Sequence, residues 1–600
     1  MCIRDRNVPY SVQQHRYLVR QLANTQPWAR MLVLPVESID CQYDQVPDDP
    51  VCKQQINLRW DAFGSLVHSV TVHLARNKTA DDAPPDTLDD GHRQQWWRDS
   101  HDPAQQAYYL NETLAQWIHL TQDSQWRLGL PYRQRDNAWV LPKGQPGGLS
   151  GSALSYEHFI DRRSGPLGPQ APRVLSGLSV QYYREAGPGG HALEAGTATL
   201  QALSDGLETA ELGPEALQAY QAIPQMPGQA PWKLTAQLQQ IGYRPMSVFF
   251  SIGDAEQQAP PQLWSMCQHR SRYLDATGFY QLHSWRLTQA LGETTLTYDP
   301  YGCQVTQVQQ ADGCVSRAEH DYRLLLPVSL TDPNGTVQQA LYDGFGRLIA
   351  TRYEGRESGK TQGFGPLPQS TRLLDTTVEQ AIETPQSCLG QAASAHFYAV
   401  LSWMGTIAEA DRRDEWVTKG YLLPGGQIRA KARLRASNPA QITHADTQRL
   451  ATLIAQARRE PAHRLTLLAD RYPDDPERTV RLSLTYWDGR GRPLQRLHQT
   501  EPGDACLILP TGEVSAEHGV INQVHANPRW CVDERVEYNH QDAMTRIYRP
   551  YFASRPSYSH GRALRDIAHS DRQFHDALGR AIRTDTANGA IKRMRYCGWY

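Results

Sequence analysis

Cysteine is scarce and unpatterned: ten residues are scattered over 600, without one C-x-x-C pair. That argues against a disulfide scaffold and against a structural zinc site. Two pairs, Cys41/Cys52 and Cys303/Cys314, share a spacing that fits across a hairpin. A bridge in either stays open, with reduced packing cysteines as the plainer reading. Long apolar runs are missing too. No stretch of about 18 apolar residues occurs, which excludes a transmembrane helix. The opening Met1-Cys2-Ile3-Arg4-Asp5-Arg6 lacks the apolar segment of a secretory signal, so no export signal is expected there. Charge of one sign is absent as well. The 61 Lys and Arg balance 63 Asp and Glu for a net of −2, leaving no global basic field for nucleic acid or an anionic membrane.

Catalytic signatures are equally thin. There is no H-E-x-x-H, no phosphate-binding P-loop, no nucleophile elbow and no kinase set. Gly148-Leu149-Ser150-Gly151-Ser152 falls one residue short of an elbow and sits in a Gly/Pro stretch. Gly187-Pro188-Gly189-Gly190-His191 lacks the third glycine of a dinucleotide loop and reads as a surface turn. The closest histidine groupings, 92–101 and 560–569, have no ligand-like spacing and read as solvated. No catalytic residue, metal or cofactor is expected.

What the sequence has in quantity is amphipathic aromatics and turn formers: 28 Tyr and 15 Trp against 10 Phe, with 44 Gly and 39 Pro. That balance favours strands separated by many turns. One short pattern also recurs: an aromatic, Asp at once or one residue later, two variable residues, Gly, and often Arg. It stands as Trp60-Asp61-Ala62-Phe63-Gly64, Tyr298-Asp299-Pro300-Tyr301-Gly302, Tyr342-Asp343-Gly344-Phe345-Gly346-Arg347, Trp487-Asp488-Gly489-Arg490-Gly491-Arg492 and Phe574-His575-Asp576-Ala577-Leu578-Gly579-Arg580. Looser copies begin at Asp275 and Asp332, and a decayed one surrounds Asn539. The spacing predicts hairpins whose loop is a type I turn followed by a left-handed residue. Asp accepts hydrogen bonds from turn amides, Gly supplies positive φ, and Arg opens the outgoing strand. Helices are expected to be few: one near 443–460, capped by Thr443 and stopped by Pro461, and others at 102–120, 213–222 and 395–404.

These motifs carry a resemblance. Tyr342 to Arg347, its cousins at Trp487 and Phe574, and Asp332-Pro333-Asn334-Gly335-Thr336 resemble RHS, or YD, repeats. Longer stretches, His320 to Val328 running into Gly346 to Ala350, Asp470-Arg471-Tyr472 to Gly491-Arg492, and Arg546 to Phe552, resemble the TcB component of bacterial insecticidal toxin complexes. Trp126 to Pro131, Val174 to Tyr183 and Glu208 to Leu212 are similar to the middle and carboxy-terminal region of that component. The resemblance implies a mainly β fold, an antiparallel β-hairpin strip spiralling into part of a hollow shell with a few peripheral helices. On it, residues 1–150 correspond to the middle/C-terminal-like β region and 151–600 to the repeat shell. It implies a non-enzymatic container that joins a TcC-like partner to enclose a toxic effector, secreted within a complex assembled in the bacterial cytoplasm. The implied contact with a TcA-like channel runs through amino-terminal regions, an SpvB-like part and a β-propeller, that are not recognisable here, so the chain reads as a fragment. No nucleic-acid partner and no direct membrane insertion are implied. Asp299-Pro300-Tyr301-Gly302 matches only the first residues of the self-cleaving site of RHS shells, and that activity is not carried over. Two other classes compete: a self-processing RHS toxin, which needs its own cleavage motif and effector, and a carbohydrate-binding or adhesive β protein using exposed aromatics.

Overall fold

The computed structural model describes residues 9–23, 30–43, 47–83, 91–122, 125–144, 154–161, 165–168, 171–221, 223, 233–251, 262–407, 413–438, 445–457, 459–594 and 596. Strand accounts for 46% of the chain and helix for 16%, which makes the fold mainly β, as its turn-rich, aromatic composition requires. The chain divides into two units, 1–315 with 596–600, and 316–595.

In the first unit, ten antiparallel strands from Ser11–Ala23 to Leu263–Gln268 form one sheet in chain order. The exception is Tyr243–Met246, which lies outside Leu263–Gln268 at the far edge. Its strands alternate as a half-buried sheet demands. In Ala107–Leu120 the residues Tyr108, Leu110, Glu112 and Leu114 face inward and their neighbours are more exposed. Short hairpins follow through Val305–Gln309.

The second unit is a further run of antiparallel hairpins, from Leu326–Thr331 to Ile591–Arg593, with a parallel contact of Cys506 with Ala553. Its core gathers Ile349, Phe397, Leu465, Leu467, Leu482, Leu484, Leu497, Trp530 and Val532. The strand Ala462–Ala469 shows why these residues assemble. Leu465 and Leu467 point inward at 0% exposure, while Leu468 on the other face is 47% exposed.

Four expectations need correction. Residues 102–120 are not a helix: Asp102 caps a short 3-10 turn, Pro103–Gln106, and the chain then runs as the strand Ala107–Leu120. The period-two burial of its aromatic and branched side chains overrides local helix propensity. Residues 395–404 hold the strand Ser394–Ala399 and a 3-10 turn, Ser402–Met404. Ser394 to Phe397 are buried one after another, so that strand offers no periodicity to read. Cys41 and Cys52 are bridged, because they stand directly opposite each other on adjacent strands, with Cα atoms 4.2 Å apart. Cys303 and Cys314 are free. His101 is buried, its Nδ1 2.7 Å from the Trp97 carbonyl and its ring against the Trp97 indole. By contrast, Pro214–Gln221 and Ala445–Gln456 are helices, at two of the expected places. Thr443 and the stretch 148–152 lie outside the described residues.

Leu467→Ala should cost about 2–5 kcal/mol, since it empties a closed site, while Leu468→Ala on the exposed face should stay within about 0.5 kcal/mol. Denaturant midpoints of the two variants check this. Equal costs would contradict the facing of the strand.

Candidate functional site: the carboxylate-capped turns

Each strong copy of the pattern is a hairpin reversal with one shared construction. At Asp343 the amides of Phe345 and Arg347 both donate to Oδ1 at 2.9 Å, Gly346 N–H donates to the Asp343 carbonyl at 3.0 Å, and Gly346 sits at φ 76°. Asp488 takes the amides of Arg490 and Arg492 at 2.9 and 3.0 Å, with Gly491 at φ 80°. Asp576 takes those of Leu578 and Arg580 at 2.9 Å, with Gly579 at φ 81°. Asp61 takes Phe63 and Ser65 at 2.9 Å, with Gly64 at φ 85°. Asp299 closes a loop one residue longer. Its Oδ1 accepts from Cys303 at 2.6 Å and Gln304 at 2.8 Å, and Gly302 keeps φ 66°.

The arginine does more than open the outgoing strand. Nε of Arg347, Arg492 and Arg580 donates to Oδ2 of Asp343, Asp488 and Asp576 at 2.6, 2.8 and 2.8 Å. One carboxylate oxygen thus holds the turn and the other holds the guanidinium. At Asp61 the second oxygen meets His119 Nε2 at 2.7 Å instead. Burial pulls the Asp343 carboxyl up. The Arg347 amide and guanidinium and the Phe345 amide outweigh it, so the group titrates below the usual carboxylate range. Asp61 and Asp488 are lowered in the same way, burial being outweighed by the Ser65 amide and His119 in one and by Arg492 in the other.

Where the aromatic before the turn is tyrosine, it has a second task. Tyr298, Tyr342 and Tyr538 donate their hydroxyls to the carbonyls of Leu282, Pro327 and Pro493, at 2.8, 3.0 and 3.0 Å. Each acceptor lies at the start of the neighbouring strand, so the ring end ties one hairpin to the next. The excess of Tyr over Phe was the available signal.

The looser copies sort by geometry. Asp332 builds the same turn, with Gly335 at φ 80°. Asn539 replaces Asp, and Asp542 at φ 67° takes the glycine place. At Asp275 the positive φ moves on to Phe279 and Tyr280, at 56° and 55°. Two turns with the same backbone, Gln310 to Gly313 and Thr586 to Gly589, were not legible from Asp, because Gln and Thr stand in its place. Among the described residues, no group of three or more His, Cys, Asp or Glu is arranged to hold a metal, and no helix is long and apolar enough to cross a membrane.

Residues 3–130 match the family described as the insecticide toxin TcdB middle/C-terminal region. No curated protein sequence matches. Among solved structures, a TcdB2–TccC3 complex lacking its hypervariable C-terminal region superimposes with a TM-score of 0.85 at 28% identity. It covers 98% of this chain and 27% of that one. Over nearly its whole length the chain is similar to this structure. A Tc holotoxin pore from Photorhabdus luminescens matches at 29% identity and TM-score 0.83, over 98% of this chain and 26% of that one. A further TcdB2–TccC3 crystal structure gives 0.78 at 28% identity, over 98% of this chain and 24% of that one. The chain therefore spans about a quarter of the length of the chains it matches.

Gly346→Val should destabilise by about 1–3 kcal/mol, because a β-branched residue is strained at positive φ. Asp343→Asn retains an amide-accepting oxygen and loses the charge. The depressed carboxyl contributes in full above about pH 4 and loses that contribution as pH falls through its folded value. The stability gap between wild type and Asp343→Asn should therefore be widest near neutrality and narrow on acidification. Chemical melts at a series of pH values measure it, and a gap that widens in acid would refute the capping role.

Proposed function

We propose that the chain is a structural, non-enzymatic container segment of a Tc-like toxin complex. With a TcC-like partner it forms the shell that encloses a toxic effector domain before delivery through a TcA-like channel. The observation that carries this reading is likeness over 98% of the chain to TcdB2–TccC3 structures at a TM-score of 0.85. The turn chemistry supports it. An acid/base pair needs free carboxylates, and Asp61, Asp343, Asp488 and Asp576 are committed to backbone amides and to His or Arg partners. On this proposal residues 1–150 form the TcB middle/C-terminal-like region and residues 151–600 the repeat strip. Assembly takes place in the bacterial cytoplasm, and the complex acts outside the cell.

The test is protection. The effector of a TcC-like partner, copurified with a full-length TcB-like polypeptide carrying this segment, should outlast the same effector copurified without it under limited proteolysis. Equal digestion rates would overturn the container role.

A further inference from the structure

The hairpin between Ser394–Ala399 and Ala462–Ala469 closes its ladder at Ala399 opposite His463, and residues 400–461 leave and return at that one end. They build a small lobe with its own core of Ile407, Trp416, Leu422, Ile428, Ala432 and Leu450. Its charge is unlike the rest of the chain. Residues 400–461 hold ten Lys and Arg against six Asp and Glu, and between Trp416 and Arg459 the balance is eight to one, within a protein whose net charge is −2. A solvated helical face usually alternates its charges, whereas the helix Ala430–Ala436 carries three cations and no acidic residue.

The helix Ala430–Ala436 carries Lys431 and Arg435 one turn apart, and both lie over Tyr421, 5.2 and 5.5 Å from its ring centre. Their hydrogen-bond partners are neutral. Lys431 donates to the Lys419 carbonyl at 3.0 Å, and Arg435 Nε to Thr447 Oγ1 at 3.2 Å. Among the described residues neither cation meets a carboxylate. Together with Trp416, Leu450 and Lys419, which is held in an ion pair by Glu415, they line an open recess of about 320 Å³. Beside it Leu434 is 72% exposed. On the same helix, burial first and the nearby Arg459 second lower the Arg433 guanidinium.

We propose that this recess is a docking site for an acidic segment of a polypeptide, its carboxylates seated on Lys431 and Arg435 and its apolar side chains on the exposed Leu434. Charge complementarity selects the sign of the partner. The aromatics select its class. Single-stranded nucleic acid is held by rings open to stacking, but Trp416 is 3% exposed and the face of Tyr421 is already covered by two cations. An exposed leucine beside the cations suits alternating acidic and apolar side chains. This site is independent of the container reading and stands or falls separately from it.

The test uses the whole chain and a short fluorescein-labelled peptide alternating Glu and Leu, read by anisotropy, with a Gln/Leu peptide and single-stranded DNA as competitors. Saturable binding of the Glu/Leu peptide should weaken with added salt, and about tenfold or more in the double variant Lys431→Glu with Arg435→Glu. Lys431→Gln removes one charge at an exposed position, and it should weaken binding in the same direction while the chain still melts as a folded protein. That keeps the test valid should the double reversal fail to fold. The proposal is overturned if the Gln/Leu peptide competes equally well. It is also overturned if salt and Lys431→Gln leave affinity unchanged, or if DNA occupies the same residues more tightly than the peptide.

Discussion

A single carboxylate oxygen shared by two backbone amides is the constraint on which the hairpins depend. At Asp61, Asp343, Asp488 and Asp576 it binds the second and fourth following N–H groups. In each case strand pairing slips by one residue just before the turn, between Arg59 and Trp60, Leu341 and Tyr342, Tyr486 and Trp487, and Phe574 and His575. Side chains alternate with a period of two, so that one-residue shift decides which face of the outgoing strand enters the core. Beyond Asp488 it sends Gln495 and Leu497 inward at 0% exposure and leaves Arg496 between them exposed. The cap is therefore a register device as much as a local stabiliser.

Neighbouring hairpins are joined by the same residues. Arg492 serves its own Asp488, reaches Asp542 in the next turn at 2.7 Å, and lies over the ring of Tyr538, whose hydroxyl binds Pro493. An exposed ion pair alone contributes little. Here the arginine is already held by its cap, so less side-chain freedom is lost when the second contact forms. A hairpin by itself is marginal in water, and stitching of this kind lets a long run of short strands behave as one sheet.

The hairpins were legible because Asp, Gly and a preceding aromatic each answer a separate stereochemical demand at a fixed spacing. What escaped shows the limit of that signal. Gln310 and Thr586 build the same backbone turn without the diagnostic carboxylate, and only the glycine three residues on marks them. Residues 107–120 misled because Ala, Leu, Glu and Gln favour helices, while burial alternates with a period that tertiary packing imposes. The Arg-to-Asp pairing was not read from the spacing, although four residues from Asp to Arg place the guanidinium back over the turn. The bridge of Cys41 to Cys52 needed the strand register itself, which spacing alone leaves open.

The basic lobe follows from the same architecture. A ladder of paired strands cannot take an insertion within a strand without losing register, whereas at a hairpin tip the chain may leave and return at no cost to the pairing. Residues 400–461 use one such tip, and their separate core frees the lobe's outer surface from the alternation that governs the sheet. Basic charge can collect there while the rest of the chain is correspondingly acidic, which the near-zero net charge conceals. At physiological ionic strength such a field is screened within about 8 Å. Its effect is then local, on whatever seats against Lys431 and Arg435, and a global measure such as isoelectric point carries no trace of it.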